Sequence, residues 1–267
     1  MKKIPFILNH KEKPTIAIIG FGRFGKLLTQ IFLKWSNANI LLVSRKKQQQ
    51  THQRLSFVNL QNIHSADIII PCVPISAFEE TIQKIALVAK NSAIVMDVCS
   101  VKVVPTRLMK SFLPDSIQKI ATHPMFGPDS FRINKGLKGL RLVMHNISAS
   151  SQNYKTIKSF FKKLRISVIE ITPHKHDRWM AMSLGYSYLV GKIGQQMHIT
   201  KTPIDTHDFD LLVKHARIIS NDSETLFFDM QTCNPFAGEV HRKFLLTTQK
   251  ILSEIKAHSV DNRRTRV

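Results

Sequence analysis

The amino-acid sequence predicts an α/β protein, with a doubly wound sheet first and a second, smaller all-helical domain after it. Three observations carry that reading. Apolar runs of strand length alternate with helical stretches as far as Ile171. One strand runs into glycines spaced G-x-G-x-x-G. Strand-like runs then cease at Thr172-Pro173, and helical periodicity takes over. The boundary is therefore placed at residue 173, with domains 1–173 and 174–267.

Thr15–Ile19 is the first buried strand, and Gly20, Phe21, Gly22, Arg23, Phe24 and Gly25 follow it directly. Gly20 permits a tight turn, Gly22 lets backbone approach phosphates without an intervening side chain, and Gly25 lets the next helix pack close to the strand. That helix shows Leu27, Leu28, Ile31, Phe32 and Trp35 on one face. Strand, glycines and helix together are the setting for a dinucleotide's pyrophosphate, held by free N–H groups at the positive helix end. These six residues are the first cofactor-binding candidates, and the sheet is Rossmann-type.

Ile40–Val43 reads as the second strand. Ala66–Ile70 with Cys72–Pro74 reads as another, leaving Pro74 at the cofactor crevice, and a helix follows from about 75 to 90. Ala93–Asp97, Lys119–Thr122, Leu140–Met144 and Ser167–Ile171 complete the strands. Helical periodicity then occupies 174–197, 206–220, 223–232 and 235–257, separated by turns at Thr202-Pro203 and Asn234-Pro235.

An apolar fraction of 43% supports a full hydrophobic core, so disorder is excluded as the default. The three cysteines are scattered, with neither disulfide-framework nor metal-ligand spacing, which suggests a reducing compartment. The short apolar segment at the N-terminus is broken by Pro5 and followed by charge. Neither a signal peptide nor a membrane span is expected, and the cytoplasm is the simplest location. The net charge of +21 raises the question of nucleic acid, but the basic residues are spread and lack the interleaved aromatics of a single-strand platform. A solvated basic surface is the preferred reading. Lys46–Gln50 is expected to be an exposed loop.

Cofactor choice is decided after the second strand, where an acidic side chain would bind the ribose 2'-hydroxyl of NAD. None is present there. Ser44, Arg45 and Lys46 suit a 2'-phosphate, so NADP is favoured with NAD as the alternative. Ordinary surface cations would give the same pattern. Asp97–Lys102 and Thr122–Pro128 follow strands at the crevice. His123 there is either a base or a turn residue bonded to backbone. His174, His176 and Asp177 cluster without a third ligand at metal spacing, so they read as a helix start with Asp177 near its positive end.

Taken together, the glycine fingerprint at 20–25, Asp97-Val98-Cys99-Ser100-Val101-Lys102, Thr122-His123-Pro124-Met125-Phe126-Gly127-Pro128-Asp129-Ser130 and His176-Asp177 resemble the prephenate/arogenate dehydrogenases. The likeness is strongest to the short arogenate type of plants. The resemblance implies oxidative decarboxylation of a small cyclic substrate in tyrosine formation, within a homodimer built through the helical domain. His123 would accept the hydroxyl proton, and Ser100 would hold the hydroxyl or the histidine. Lys102 would serve as electrostatic support or packing, and Arg217 would meet a substrate carboxylate.

Leu184 and Tyr188 stand where family members usually carry Gln and His, so Tyr188 would donate a hydrogen bond without supplying charge. Asp222 would meet the amino group of arogenate, or else cap a helix. Two alternatives remain open: a related NADP-dependent dehydrogenase of another cyclic or beta-hydroxy acid, and a non-catalytic NADP-binding regulatory protein.

Overall fold

Strand side chains point alternately to opposite sheet faces, so strands that are apolar at successive positions are buried on both. A computed structural model describes residues 3–8, 12–45 and 52–264, with 260–264 by backbone alone. Its strands are β1 (Thr15–Ile19), β2 (Asn39–Val43), β3 (Leu55–Val58), β4 (Ile68–Pro71), β5 (Ile94–Met96), β6 (Gln118–Pro124), β7 (Arg141–Asn146) and β8 (Ser167–Glu170). They form one sheet in the order β3-β2-β1-β4-β5-β6-β7-β8. All neighbours are parallel except β6 and β7.

Helices α1 (Arg23–Trp35), α2 (Phe78–Val88), α3 (Val103–Phe112), α4 (Pro128–Ile133) and α5 (Ser151–Lys163) accompany these strands. On one face Ile16, Ile18, Ile68 and Ile70 pack with Leu28, Ile31 and Phe32 of α1 and Ile157, Phe160 and Phe161 of α5. The Phe160 ring lies 5.0 Å from that of Phe6 and 5.7 Å from that of Phe32. On the other face Ala17, Ile19, Ile69 and Val95 pack with Phe78, Ile82 and Ile85 of α2 and Leu108 and Met109 of α3. Each of these buried side chains other than Ala17 contributes about 1.5–3 kcal/mol.

The sequence reading assigns no strand to 55–58 and no helix to α3, α4 or α5, and it does not distinguish the antiparallel pairing of β7. From Pro173 onward the described residues form helices and no strand: α6 (Pro173–Met180), a π turn at Ala181–Gly185, α7 (Tyr186–Gln196), α8 (His207–Ser220), α9 (Glu224–Thr232) and α10 (Ala237–Arg264). Thr172, Thr206 and Ser223 cap α6, α8 and α9 with their hydroxyls. A Cβ at Gly191 would collide with Ile219, so its absence lets α7 lie close on α8. Among the described residues no helix is long and apolar enough to cross a membrane.

The helical part is fastened to the carboxyl edge of the sheet. Asp229 of α9 accepts from Ser76 N at 3.1 Å and Ser76 Oγ at 3.2 Å. Asp177 of α6 accepts from Lys102 N at 2.7 Å and Val103 N at 2.8 Å. Asn234 Nδ2 donates to the Asp177 carbonyl at 2.8 Å. Asp177 thus satisfies the exposed N–H groups at the start of α3, a different helix from its own. This replaces the expectation that it sits at the positive end of its own helix, because the free donors of α3 are within reach of its carboxylate.

Beneath this joint lies a buried ion pair between Asp97, just past β5, and Lys102, the residue before α3. Asp97 also accepts from Cys99 N at 3.1 Å and Thr122 N at 2.9 Å, tying the end of β5 to β6. Both charges are out of water, so removing one strands the other. Asp97→Asn is expected to lower unfolding stability by roughly 3–5 kcal/mol, read from the denaturant midpoint. An unchanged midpoint would show that the pair carries no structural load.

Candidate active site

In this strand order the crevice opens at the carboxyl ends of β1 and β4, where the chain turns to opposite sides of the sheet. Gly20 follows β1 with φ of +105°, a region strained for any side chain, and a Cβ there would strike the Cys72 carbonyl. A Cβ on Gly25 would strike the Gly20 carbonyl. Around Gly22, in contrast, a Cβ would meet no atom within 4 Å, and no side chain caps α1 there. The open cradle and the uncapped helix start fit a dinucleotide pyrophosphate. Phe21 packs edge-on against Phe57 at 6.0 Å, and Phe24 lies 6.4 Å from Phe126, so both aromatic rings help to fix the loop.

Arg23 is committed to partners outside the loop. Its guanidinium donates to Asp129 Oδ2 at 2.5 Å, to Asp222 Oδ1 at 2.9 Å and to the Asn221 carbonyl at 2.7 Å. Tyr188 Oη donates to Asp222 Oδ2 at 2.5 Å. Burial and the adjacent carboxylate push the Tyr188 phenol well above its ordinary pKa, so it stays a donor. Both oxygens of Asp222 are therefore occupied, and the cap of α9 is Ser223 rather than Asp222. The sequence reading gives Tyr188 and Asp222 separate roles toward the substrate and pairs neither with the other nor with Arg23; the structure joins all three. The contact of Arg23 with Asp222 spans 199 residues of sequence and has no local signature.

Adjacent strands β5 and β6 deliver the segment with Ser100 and the residue His123 to the same edge. Ser100 Oγ is buried and has no hydrogen-bond partner among the described residues. It lines a small void with Val101, Met180, Leu184, Gly185, Met230 and Asn234. Leu184 lies in the π turn, a local widening that often accompanies functional positions. An orphaned hydroxyl of this kind fits a group that receives a ligand.

His123 is 6% exposed, and its Nδ1 meets His176 Nε2 at 2.9 Å. His176 Nδ1 in turn meets Asp177 Oδ1 at 2.7 Å. Burial first, then the nearby His176 and Lys102, holds His123 well below the usual histidine pKa. Burial also lowers His176, with Asp177 opposing the shift. Both rings are thus neutral near pH 7. His123 lies in β6, and its Nδ1 bonds to a histidine ring rather than to backbone.

Lys102 is 1% exposed and paired with Asp97 beneath the site, where its charge also bears on His123. Arg217 is exposed on α8, with no side-chain ion pair or hydrogen bond among the described residues. Ser44 and Arg45 follow β2, Arg45 being exposed, and Pro74 is exposed just past β4. Lys46 and the rest of the Lys46–Gln50 loop lie outside the described residues.

Comparison with known proteins bears on the family and the fold. The family model for the nucleotide-binding domain of prephenate dehydrogenase matches residues 34–167, and a model described as TYRAAT1-like, C-terminal domain, matches 193–266. The chain is 26% identical to arogenate dehydrogenase 1, chloroplastic, of Arabidopsis thaliana, over 90% of this chain and 39% of that protein. It is 27% identical to a probable arogenate/prephenate dehydrogenase of Methanocaldococcus jannaschii, over 91% of this chain and 57% of that one. It therefore spans well under two thirds of the length of these relatives.

Among solved structures, Synechocystis arogenate dehydrogenase superimposes with a TM-score of 0.62 at 18% identity, covering 91% of this chain and 93% of that one. Prephenate dehydrogenase from A. aeolicus, in complex with hydroxyphenyl propionate and NAD+, gives 0.67 at 15% identity, covering 94% and 95%. The fold is shared with both. With its nucleotide-binding region matched from 34 to 167, the chain belongs to the prephenate dehydrogenase family.

Proposed function

We propose that this protein oxidatively decarboxylates arogenate or prephenate with NADP as the hydride acceptor, residues 1–173 holding the cofactor and 174–267 completing the substrate pocket. The observation that carries this reading is the buried, neutral His123 on the same sheet edge as the unpartnered Ser100 hydroxyl, beside the open glycine cradle. The nicotinamide, when bound, supplies the site that takes the hydride from the ring carbon bearing the hydroxyl. His123 takes the hydroxyl proton, and Ser100 orients the hydroxyl. The ring carboxylate leaves as carbon dioxide, its bonding pair entering the ring, which becomes aromatic.

Gly20, Gly22 and Gly25 would hold the pyrophosphate, while Ser44 and Arg45 would meet the 2'-phosphate. Arogenate rather than prephenate is the choice a free Asp222 would support. Its engagement by Arg23 and Tyr188 weakens that preference and leaves the two substrates equal on this ground. The apolar Leu184 beside Ser100 favours, as a second reading, a relative acting on another cyclic acid. The free cysteines Cys72, Cys99 and Cys233 fit a reducing compartment.

A homodimer through the helical part is supported by α10. From His241 to Ser259 none of its residues is fully buried, and Leu245, Leu246, Ile251, Leu252 and Ile255 are each about half exposed or more. A helix with this many bare apolar side chains needs a cover.

The central test is absorbance at 340 nm with purified protein, NADP and either substrate. Turnover is expected with at least one, and His123→Asn should lower kcat by about 10²–10⁴-fold with cofactor affinity unchanged. Full activity in that variant would remove His123 from the chemistry. Arg45→Asp should weaken NADP more than NAD in a binding titration. Equal losses would mean general electrostatics. Sedimentation equilibrium should give a dimer that Leu245→Glu with Leu252→Glu converts to monomer, and a monomeric parent chain would dispose of the dimer.

A further inference from the structure

We infer that His176, backed by Asp177, is the positioning residue that fixes the tautomer of His123 and leaves His123 Nε2 as the atom that receives the substrate proton. The inference deepens the proposed function and rests on it only for the identity of the proton donor. The geometry of the chain of groups stands on its own.

The argument starts at Asp177. Its Oδ1 accepts from the backbone N of Lys102 at 2.7 Å and its Oδ2 from that of Val103 at 2.8 Å. A carboxylate anchored by two backbone donors is an acceptor, and acceptors meet donors. His176 Nδ1, 2.7 Å from Oδ1, must therefore carry a proton. His176 is fully buried and neutral, so its other nitrogen, Nε2, carries none and accepts. His123 Nδ1, 2.9 Å away, is then the donor. A neutral imidazole with its proton on Nδ1 has an unshared pair on Nε2, and that atom has no hydrogen-bond partner among the described residues.

The remaining charged groups near His176 are Lys102 and Asp97, and they are paired with each other. At His176 they act in opposite directions, and at His123 Lys102 disfavours the charged ring. No competing acceptor therefore reverses the order of protons along the chain.

When His123 takes a proton its ring becomes cationic, and the bond from Nδ1 to His176 strengthens because the donor is now charged. Asp177 holds His176 in place as this happens. The same carboxylate caps α3, which starts immediately after the segment carrying Ser100. One side chain thus sets the orientation of the base and the start of the loop that holds the hydroxyl.

The test uses two variants and two readouts. His176→Leu removes the acceptor, and His176→Gln puts a carbonyl oxygen within reach of the place that Nε2 occupies. With the preferred substrate and NADP, His176→Leu should lose about 10²-fold in kcat with KM for both ligands nearly unchanged, and His176→Gln should recover most of the loss. Nitrogen-15 histidine spectra of the full chain near pH 7 should show His123 with its proton on Nδ1. In His176→Leu that preference should be lost.

A His123 ring protonated on Nε2 in the parent chain would overturn the inference, as would wild-type kcat in His176→Leu. Equal impairment of folded leucine and glutamine variants would do the same. The spectra decide the tautomer even if the chain turns over neither substrate, so failure of the functional reading shows separately.

Discussion

Unsatisfied N–H groups at helix starts govern the carboxyl edge of this sheet. Among the helices that begin there are α1 after Gly22 and α3 after Lys102, and each presents backbone donors and a partial positive charge. The protein treats them in opposite ways. At α3 the carboxylate of Asp177, supplied by a helix 75 residues later in the chain, fills the donors permanently. At α1 no side chain caps the helix and the space above Gly22 is clear. Of these two starts, α1 is the one left open to an anion from solution, because α3 is already occupied by the protein's own charge.

That difference also explains how the helical part is held. Asp177 of α6, Asp229 of α9 and Asp222 between α8 and α9 each reach back to donors contributed by the sheet-bearing part: the start of α3, Ser76 and Arg23. Acidic residues are scarce in a chain with net charge +21, and these are spent on the joint. The bonds are directional and charge-assisted, so they fix orientation more than they add net stability.

Much of this was legible in residue order. β1, its glycines and α1 are local: a buried strand, a turn that admits no Cβ at Gly20, and an apolar stripe each leave a pattern within a few residues. His123 and Ser100 stand out as candidates in the same way, as chemistry-bearing residues at or just past strand ends. β3 escaped because Leu55–Val58 is short and only one of its residues is fully buried. The run that becomes α5 carries a capping Ser150 and apolar residues at Ile157, Phe160 and Phe161, a readable signal that the sequence analysis did not use. The direction of β7 and the partners of Asp177 and Arg23 have no local trace. They are set by elements far apart in sequence that meet only once the sheet is built.

The π turn at Ala181–Gly185 has a consequence for chain length. A π turn accommodates one residue more than the α-helix around it, so α6 and α7 are joined in a register offset by that residue. Adding or removing a residue that the turn does not absorb would swing everything after it by about 100°. Tyr188 would leave Asp222, and Gly191 would no longer face Ile219. The helix therefore tolerates changes of residue type in this turn far better than changes of residue number, and an insertion or deletion here alters which face of the helical part looks toward the cofactor loop.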